Sequence, residues 1–388
     1  MKKILYITPY FVPAWSYGGT VKVSYDFAKG LAKEDYDVTV ATTDVLDSAD
    51  RNPIKHERID GINVIRFKNV SNHLAKRFNL YTPIGFKDWL IKNICNYDAV
   101  HIHEIFTYQT VITGQICQKF HIPYLIQPHG SLSQFAKHSR FYLMKKLFFR
   151  IFQSLINSSY AIIALNEKEK ADIGNLFPLV RAKINIVPNG LDLDEFTDIK
   201  KIDIRKKYHL TKNVKVVVFL GRLHFIKGVD LSLRVLSELK DRVKLFFLII
   251  GPDEGEKNNL IKLAQELKIN NQVAFTGLLS GKEKLGTLKS SDISLLLSRS
   301  EGMPTTLLES AALGLPIVCS TQCNFPEVEK YQAGFVVSDD IQASEKIEQL
   351  LKNGQLRRQL SINAHKLATD FSLTKLIQIL INIYESVI

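Results

Sequence analysis

The chain has 388 residues, 46% of them hydrophobic and 23% charged, which excludes a disordered or fibrous polymer and suits two ordinary cores. No apolar run approaches the roughly 18 residues of a membrane-spanning helix. The formal charge of +12 favours nucleic acid, anionic lipid and phosphorylated substrates alike, so charge alone selects none of them.

Met1–Ile7 has the basic start of a secretory signal, but the apolar run stops at Thr8-Pro9 with no small-residue cleavage site after it. The segment therefore reads as a first buried strand, Ile4–Thr8. Further short runs rich in β-branched residues follow at Val38–Thr42, Ile62–Phe67, Ala99–His103, Tyr124–Gln127, Ala161–Leu165 and Ile184–Val187. Helical stretches such as Val21–Lys33 and Lys137–Ile156 lie between them. This alternation implies βαβ units and a parallel sheet covered on both faces.

Pro188-Asn189-Gly190 interrupts the series, and a charged stretch, Asp192–Lys207, follows it. A second set of strands is expected at Lys215–Leu220, Leu245–Ile250, Val273–Thr276, Ile293–Leu297, Pro316–Cys319 and Gly334–Val337. The fold class is thus α/β, with two doubly wound domains and ligands outside the carboxyl ends of the strands, in a cleft where the domains face each other. The expected divisions are residues 1–195, residues 196–370 and a last helix within 371–388, with Asp370 or Ser372 as its cap.

The four cysteines, Cys95, Cys117, Cys319 and Cys323, form no CxxC pair and no zinc spacing, and reduced thiols are expected. Cys319 and Cys323 are four apart, but a strand followed by a loop need not bring them together.

Between Glu104 and Glu167 there is no acidic residue, while Lys119, Lys137, Arg140, Lys145, Lys146 and Arg150 fall in that window. On the helix expected at Lys137–Ile156, the period places Phe141, Met144, Phe148, Ile151 and Leu155 on one packing face. Tyr142, Phe149 and Ile156 fall on a second arc beside Lys145 and Lys146. Aromatics flanked by cations suit an anionic membrane surface; a broad buried face with a solvated edge is the alternative. Nucleic acid is the poorer partner, because no helix-turn-helix, RNP or zinc motif accompanies the charge.

The most informative segment runs from Ser300 to Pro316. A strand enters a loop holding Glu301, Gly302 and Met303, Pro304 sits where a first helical turn favours proline, and Thr305 and Glu309 follow. The free N–H groups at such a helix start favour an anion such as phosphate, and two carboxylates eight residues apart can accept hydrogen bonds from hydroxyls. In isolation either glutamate would suit a capped surface helix equally well.

This frame, Glu301…Glu309 with the trailing Gly314-Leu315-Pro316, resembles the E-x7-E element of the family 4 retaining glycosyltransferases, which have the GT-B fold. Further elements resemble that family in its order: His129-Gly130, Val187–Asp192, Gly221-Arg222-Leu223 with Lys227-Gly228, the strand-end Gly251 and Thr276-Gly277. The sequence departs from the family at Leu297, where proline is usual, and at Ser310, where alanine is usual.

The resemblance implies a sugar moved from a nucleotide-sugar, UDP- or GDP-linked, to a saccharide or lipid-linked acceptor, with retention at the anomeric carbon. It implies that Arg222 and Lys227 hold the diphosphate, Glu309 the ribose hydroxyls and Glu301 the donor sugar, with Gly302, Met303, Pro304 and Thr305 beside the donor. It also implies a role for His129 near the reacting sugar and a last helix that crosses back to the N-terminal domain. Gly18-Gly19, after the first strand, would let backbone N–H groups approach phosphates closely, though a bare glycine pair also suits any tight turn. His101 and His103 share one strand face, and a structural role competes with a functional one for both.

No cofactor and no metal are expected: Asp192-Leu193-Asp194 has a metal-binding spacing but belongs to the interdomain connection. Location in the cytoplasm, at the inner face of the membrane, and a part in bacterial surface-polysaccharide assembly follow by analogy. A catalytically silent nucleotide-sugar-binding subunit is the main rival. An epimerase would lack the E-x7-E frame, a phosphorylase would need a longer chain, and a nicotinamide dehydrogenase would need GxGxxG after the first strand.

Overall fold

The computed structural model describes residues 1–132 and 142–388, and for 142–149 the backbone alone. The chain divides into two compact units, Met1–Asn189 with Leu373–Ile388, and Gly190–Ser372.

The first unit is built on eight strands, β1 (Lys3–Ile7), β2 (Asp37–Thr43), β3 (His56–Ile59), β4 (Ile62–Phe67), β5 (Ala99–His103), β6 (Tyr124–Gln127), β7 (Ala161–Ala164) and β8 (Lys183–Ile186). Their order is β3-β4-β2-β1-β5-β6-β7-β8, and every pairing is parallel except β3 with β4. β1, β5, β6 and β7 are buried along almost their whole length, as expected of strands covered on both faces. The elements read from sequence omit β3. Its signal is Asp60-Gly61, a two-residue hairpin loop in which both residues take positive φ, 46° and 85°.

Helices α1 (Gly19–Lys33), α2 (Asn72–Phe78), α3 (Phe86–Asn93), α4 (Tyr108–Phe120), α5 (Tyr142–Ser158) and α6 (Glu167–Leu176) cover this sheet. Thr107 caps α4 by accepting the N–H of Thr110, and Asn166 caps α6 by accepting that of Glu169.

The packing face of α5 differs from the sequence expectation. Ile156, expected on the solvent arc, is 1% exposed, while Ile151, expected on the packing face, is 36% exposed. Phe152, Leu155 and Ile156 form the buried stripe: Phe152 meets Phe106 edge-on, and the Leu155 carbonyl accepts the Tyr124 hydroxyl at 2.5 Å. The apolar residues of α5 span more than half its circumference, opposite a polar strip that includes Arg150, Gln153 and Asn157, so the neighbours decide which part of that wide arc is buried. The first part of the expected membrane segment, residues 137–141, lies outside the described residues.

The second unit holds helices α7 (Ile204–Lys207), α8 (Val229–Leu239), α9 (Lys257–Glu266), α10 (Gly281–Lys289), α11 (Thr305–Ala312), α12 (Glu327–Lys330), α13 (Asp340–Lys352) and α14 (Gly354–Asp370). Its strands are β9 (Lys215–Leu220), β10 (Leu245–Ile250), β11 (Val273–Gly277), β12 (Ile293–Leu296), β13 (Ile317–Ser320) and β14 (Gly334–Val337). All pair in parallel, in the order β11-β10-β9-β12-β13-β14. This is the 3-2-1-4-5-6 order of a dinucleotide-binding sheet, with its reversal between β9 and β12. The buried thiols of Cys319 and Cys323 share a hydrogen bond, which together with burial holds Cys319 protonated. The two cysteines therefore do meet, because the short turn after β13 folds Cys323 back until its thiol donates to the Leu296 carbonyl at 3.3 Å.

Helix α15 (Leu373–Glu385) belongs to the first unit. Leu373, Leu376, Ile377, Leu380, Ile383 and Tyr384 are spaced by three and four residues and all are buried, with Ile377 packed over Gly30 of α1. The Tyr384 hydroxyl shares a hydrogen bond with His101 Nδ1 at 2.6 Å and donates to the Tyr6 hydroxyl at 3.3 Å. Among the described residues no helix is long and apolar enough to cross a membrane.

Candidate active site

In an open parallel sheet the loops leaving two neighbouring strands part company where the strand order reverses, and the crevice between them takes the ligand. In the second unit this point lies beyond Leu220 of β9 and Leu296 of β12. The loop after β9 carries Arg222 and Lys227, and the loop after β12 carries Glu301. Topology thus brings together residues about 75 positions apart.

The two loops are locked to each other. Gly228 has φ +65°, and a Cβ there would stand 1.9 Å from the Leu297 carbonyl oxygen, so only glycine fits. The Arg299 N–H donates to the Ile226 carbonyl at 2.7 Å. Its guanidinium donates both prongs to Asp230 at 2.8 and 2.6 Å and lies 3.8 Å over the Phe225 ring. Burial opposes ionisation of Asp230, yet the Arg299 hydrogen bonds and charge more than offset it and hold that carboxyl below its ordinary range.

Lys227 Nζ donates to Glu301 Oε1 at 2.7 Å, and Ser298 Oγ donates to the same oxygen at 2.7 Å. Glu301 is 8% exposed. Its backbone is fixed by the Gln322 carbonyl, which accepts its N–H at 3.0 Å, and by Asn324, whose amide donates to its carbonyl at 2.5 Å. Arg222 donates to both oxygens of Glu254 through one nitrogen, at 3.0 and 2.8 Å. An ammonium has three N–H groups and a guanidinium five, so both cations keep donors for a further anion.

Gly302 and Met303 lead into α11. Pro304 is the residue before the first helical turn, one position earlier than its sequence reading, and Thr305 begins the helix. No side chain caps this N-terminus, which leaves the helix end available to an anion. Glu309, on the second turn and 8% exposed, pairs through Oε2 with Lys284 of α10 at 2.7 Å. Ser310 fills a buried position, donating to the Thr306 carbonyl and accepting from Ser294, each at 2.9 Å.

The remaining sequence candidates lie in the first unit. Gly18 takes φ 81° and ψ −143°, backbone that essentially only glycine adopts, and Gly19 opens α1, whose N-terminus has no side-chain cap. His129, two residues past β6, has φ +56°. Its Nε2 shares a hydrogen bond with His103 Nδ1 at 2.8 Å, and the two rings stack, as do those of His103 and His101. Burial pushes the imidazoles of His101 and His129 down to about 3, so both rings are neutral near pH 7. His101 and His103 lie inside the unit, at 0% and 2% exposure, as structural supports for His129.

Glu254, Lys284 and Ser298 are site members whose roles the sequence reading missed. Glu254 follows the strand-end glycine of the motif, but nothing along the chain announces that it faces Arg222. Glu169 was missed as well. One of its oxygens accepts the Gly130 N–H at 2.6 Å, the other accepts the Leu165 N–H at 2.8 Å, and burial raises it to about 7.

Comparison with known proteins identifies the family. The family description "Glycosyltransferase Family 4" matches residues 17–195, and "Glycosyl transferases group 1" matches residues 200–367. An uncharacterized glycosyltransferase of Methanocaldococcus jannaschii is 23% identical over 82% of each chain. The O-antigen biosynthesis glycosyltransferase WclY of Escherichia coli is 33% identical over 39% of this chain, a match that spans 41% of that relative. Among solved structures, Anabaena HepE in complex with UDP and glucose covers the whole of both chains with a TM-score of 0.77 at 18% identity. Two family descriptions matched in order along nearly the whole chain, over two Rossmann-like units, leave one conclusion: the chain belongs to the family 4 glycosyltransferases and has the GT-B fold.

Proposed function

We propose that the chain is a retaining glycosyltransferase that moves a sugar from a UDP- or GDP-sugar to a saccharide or lipid-linked acceptor in bacterial surface-polysaccharide assembly. The observation that carries this reading is the set at the β9/β12 reversal: two cations with spare donors, an uncapped helix end and two buried carboxylates. The second unit takes the donor and the first takes the acceptor. The bond between the anomeric carbon and the phosphate oxygen breaks, and its electron pair leaves with the nucleoside diphosphate. The acceptor oxygen bonds the same face of that carbon, and its proton passes to the departing phosphate oxygen. Arg222, Lys227 and the start of α11 stabilise the charge growing on the diphosphate, in place of a metal. Glu309 accepts hydrogen bonds from the ribose, Glu301 accepts them from the sugar, and neutral His129 bonds a sugar hydroxyl. UDP-bound HepE and O-antigen-building WclY support a nucleotide-sugar donor and a saccharide acceptor.

A thermal-shift panel of UDP, GDP, ADP and CMP on wild type and Glu309→Ala tests the donor site. A nucleotide at about 100 times its dissociation constant adds roughly 2.7 kcal/mol, a shift of several degrees. One nucleotide is expected to shift wild type alone. If none does, the donor reading falls; a shift in wild type with no transfer to any acceptor would favour the nucleotide-sugar-binding subunit. Contact with the inner face of an anionic membrane through residues 137–156 is part of the proposal; cosedimentation with phosphatidylglycerol vesicles at low salt checks it.

A further inference from the structure

The first unit has its own strand-order reversal, between β1 and β5. Glu104 is the residue that leaves β5 at that point, and its φ is +69°. Left-handed backbone is rare for glutamate and costs about 1–2 kcal/mol, so the surroundings must impose it. They do: the Glu104 N–H donates to the Gln127 carbonyl at 2.9 Å, and its carbonyl accepts the Thr110 hydroxyl at 3.0 Å. On the other side of the reversal, the loop after β1 sends Tyr10 across to donate to Glu104 Oε1 at 3.0 Å. Thr20, on the first turn of α1 beside Gly18-Gly19, donates to the Tyr10 hydroxyl at 3.3 Å. Among the described residues no donor reaches Glu104 Oε2. The neighbouring strand, β6, leads to His129, also left-handed, so two adjacent strand ends hold functional groups in strained backbone. Such strain gathers at binding sites, where a surrounding framework fixes it.

We propose that Glu104 is the acceptor-recognising residue of this enzyme: its Oε2 accepts a hydrogen bond from the acceptor hydroxyl, and its carboxylate disfavours acceptors carrying phosphate at that point. The inference rests on the donor reading above. A carboxylate accepts and does not donate, so it suits a hydroxyl and repels a phosphate. Burial raises its pKa to about 7, opposed by the Tyr10 hydrogen bond and aided by the Glu169 charge; among the described residues Tyr81 also faces it. Acceptor binding then improves as pH rises through that value.

The test uses the full chain with UDP-glucose, UDP-galactose, UDP-N-acetylglucosamine and GDP-mannose as donors, and octyl β-glucoside or glucose 6-phosphate as acceptor. Nucleotide thermal shifts are measured first, on wild type, Glu104→Gln and Glu104→Asp. The expected result is equal nucleotide shifts in all three and wild-type transfer that favours octyl β-glucoside. Glu104→Gln should then show a kcat/KM about 10²-fold lower with a flat pH profile, and Glu104→Asp a partial recovery. Glu104→Gln within about threefold of wild type, with normal melting, overturns the proposal, as does wild-type preference for glucose 6-phosphate. Intact nucleotide shifts with no transfer to octyl β-glucoside overturn it too. Absence of any nucleotide shift in wild type removes the donor reading itself, and that is seen before an acceptor is added.

Discussion

At the β9/β12 reversal the second unit sets Arg222 against Glu254 and Lys227 against Glu301, and Lys284 of α10 pairs with Glu309 of α11. At the β1/β5 reversal the first unit sets Tyr10 against Glu104 and, one strand further on, His103 against His129, with no cation in either pair. The strand-order rule is the same in both units and marks the same kind of crevice, but the residue types give it opposite chemistry. A diphosphate needs positive charge and free N–H groups, whereas a sugar hydroxyl needs neutral or accepting partners. Fold alone therefore places a site without naming its ligand.

The largest effect is expected from Gly228→Ala, which separates the units by stability. The new methyl would meet the Leu297 carbonyl in a backbone region that alanine rarely adopts, a cost of at least about 2 kcal/mol. Both tryptophans, Trp15 and Trp89, lie in the first unit, so their fluorescence reports that unit's unfolding. The circular-dichroism transition should move to lower denaturant while the tryptophan transition stays. Joint movement would mean that the units unfold as one and that the comparison cannot be drawn by stability.

Lys227→Ala comes next and acts on activity. It removes a cation proposed to hold the diphosphate and leaves Glu301 with Ser298 alone on its Oε1. Transfer should fall by about 10²-fold or more with little change in melting. Lys227→Arg should not restore it, because the flat fork does not fit a position shaped for a point charge. Turnover near wild type in either variant would detach this cation from the chemistry.

Much of this arrangement could be read along the chain. Strands buried on both faces are continuous apolar runs, so β9 and β10 stand out, and Arg222, Lys227, Glu301 and Glu309 sit in a motif of fixed spacing. Their partners could not be read. Glu254 comes from the loop after β10 and Lys284 from α10, while Ser298 lies three residues before Glu301, where only the turn of the loop shows that it faces that carboxylate. Tyr10 and Glu104 lie 94 residues apart, and nothing local marks either one. The stripe of α5 differs from the sequence expectation for a related reason: an apolar arc wider than half the helix takes its rotation from Phe106 and Tyr124.

A third difference should appear in pH dependence. In the first unit Glu104 and Glu169 ionise at about 7 rather than 4.5, so the stability they contribute is complete below 4.5 and is lost as pH rises through 7. His101 and His129 are lowered from 6.5 to about 3, so theirs is present above 6.5 and is lost as pH falls toward 3. The two trends leave a maximum between about 4.5 and 6.5. In the second unit Asp230 is lowered, so its contribution is lost only in acid. Tryptophan-detected denaturation across pH 4 to 9 should therefore peak in mildly acidic buffer, and Glu169→Gln should weaken the decline on the alkaline side. A tryptophan midpoint that rises steadily to pH 8 would contradict the neutral-site picture of the first unit.

The smallest effect expected is that of Ser310→Ala, which installs the residue usual in the family. Ser310 lies beside Glu309 yet points into the unit, where it accepts from Ser294 and donates to the Thr306 carbonyl. Removing its hydroxyl leaves the buried Ser294 hydroxyl without that acceptor, a loss of about 1 kcal/mol partly offset by alanine's better fit to a helix. Nucleotide affinity should stay unchanged, because the charges at the β9/β12 reversal are untouched. A fall in affinity with unchanged melting would show that the rotation of α11, and not only its charge, tunes the donor site. The second unit would then depend on packing as closely as the first.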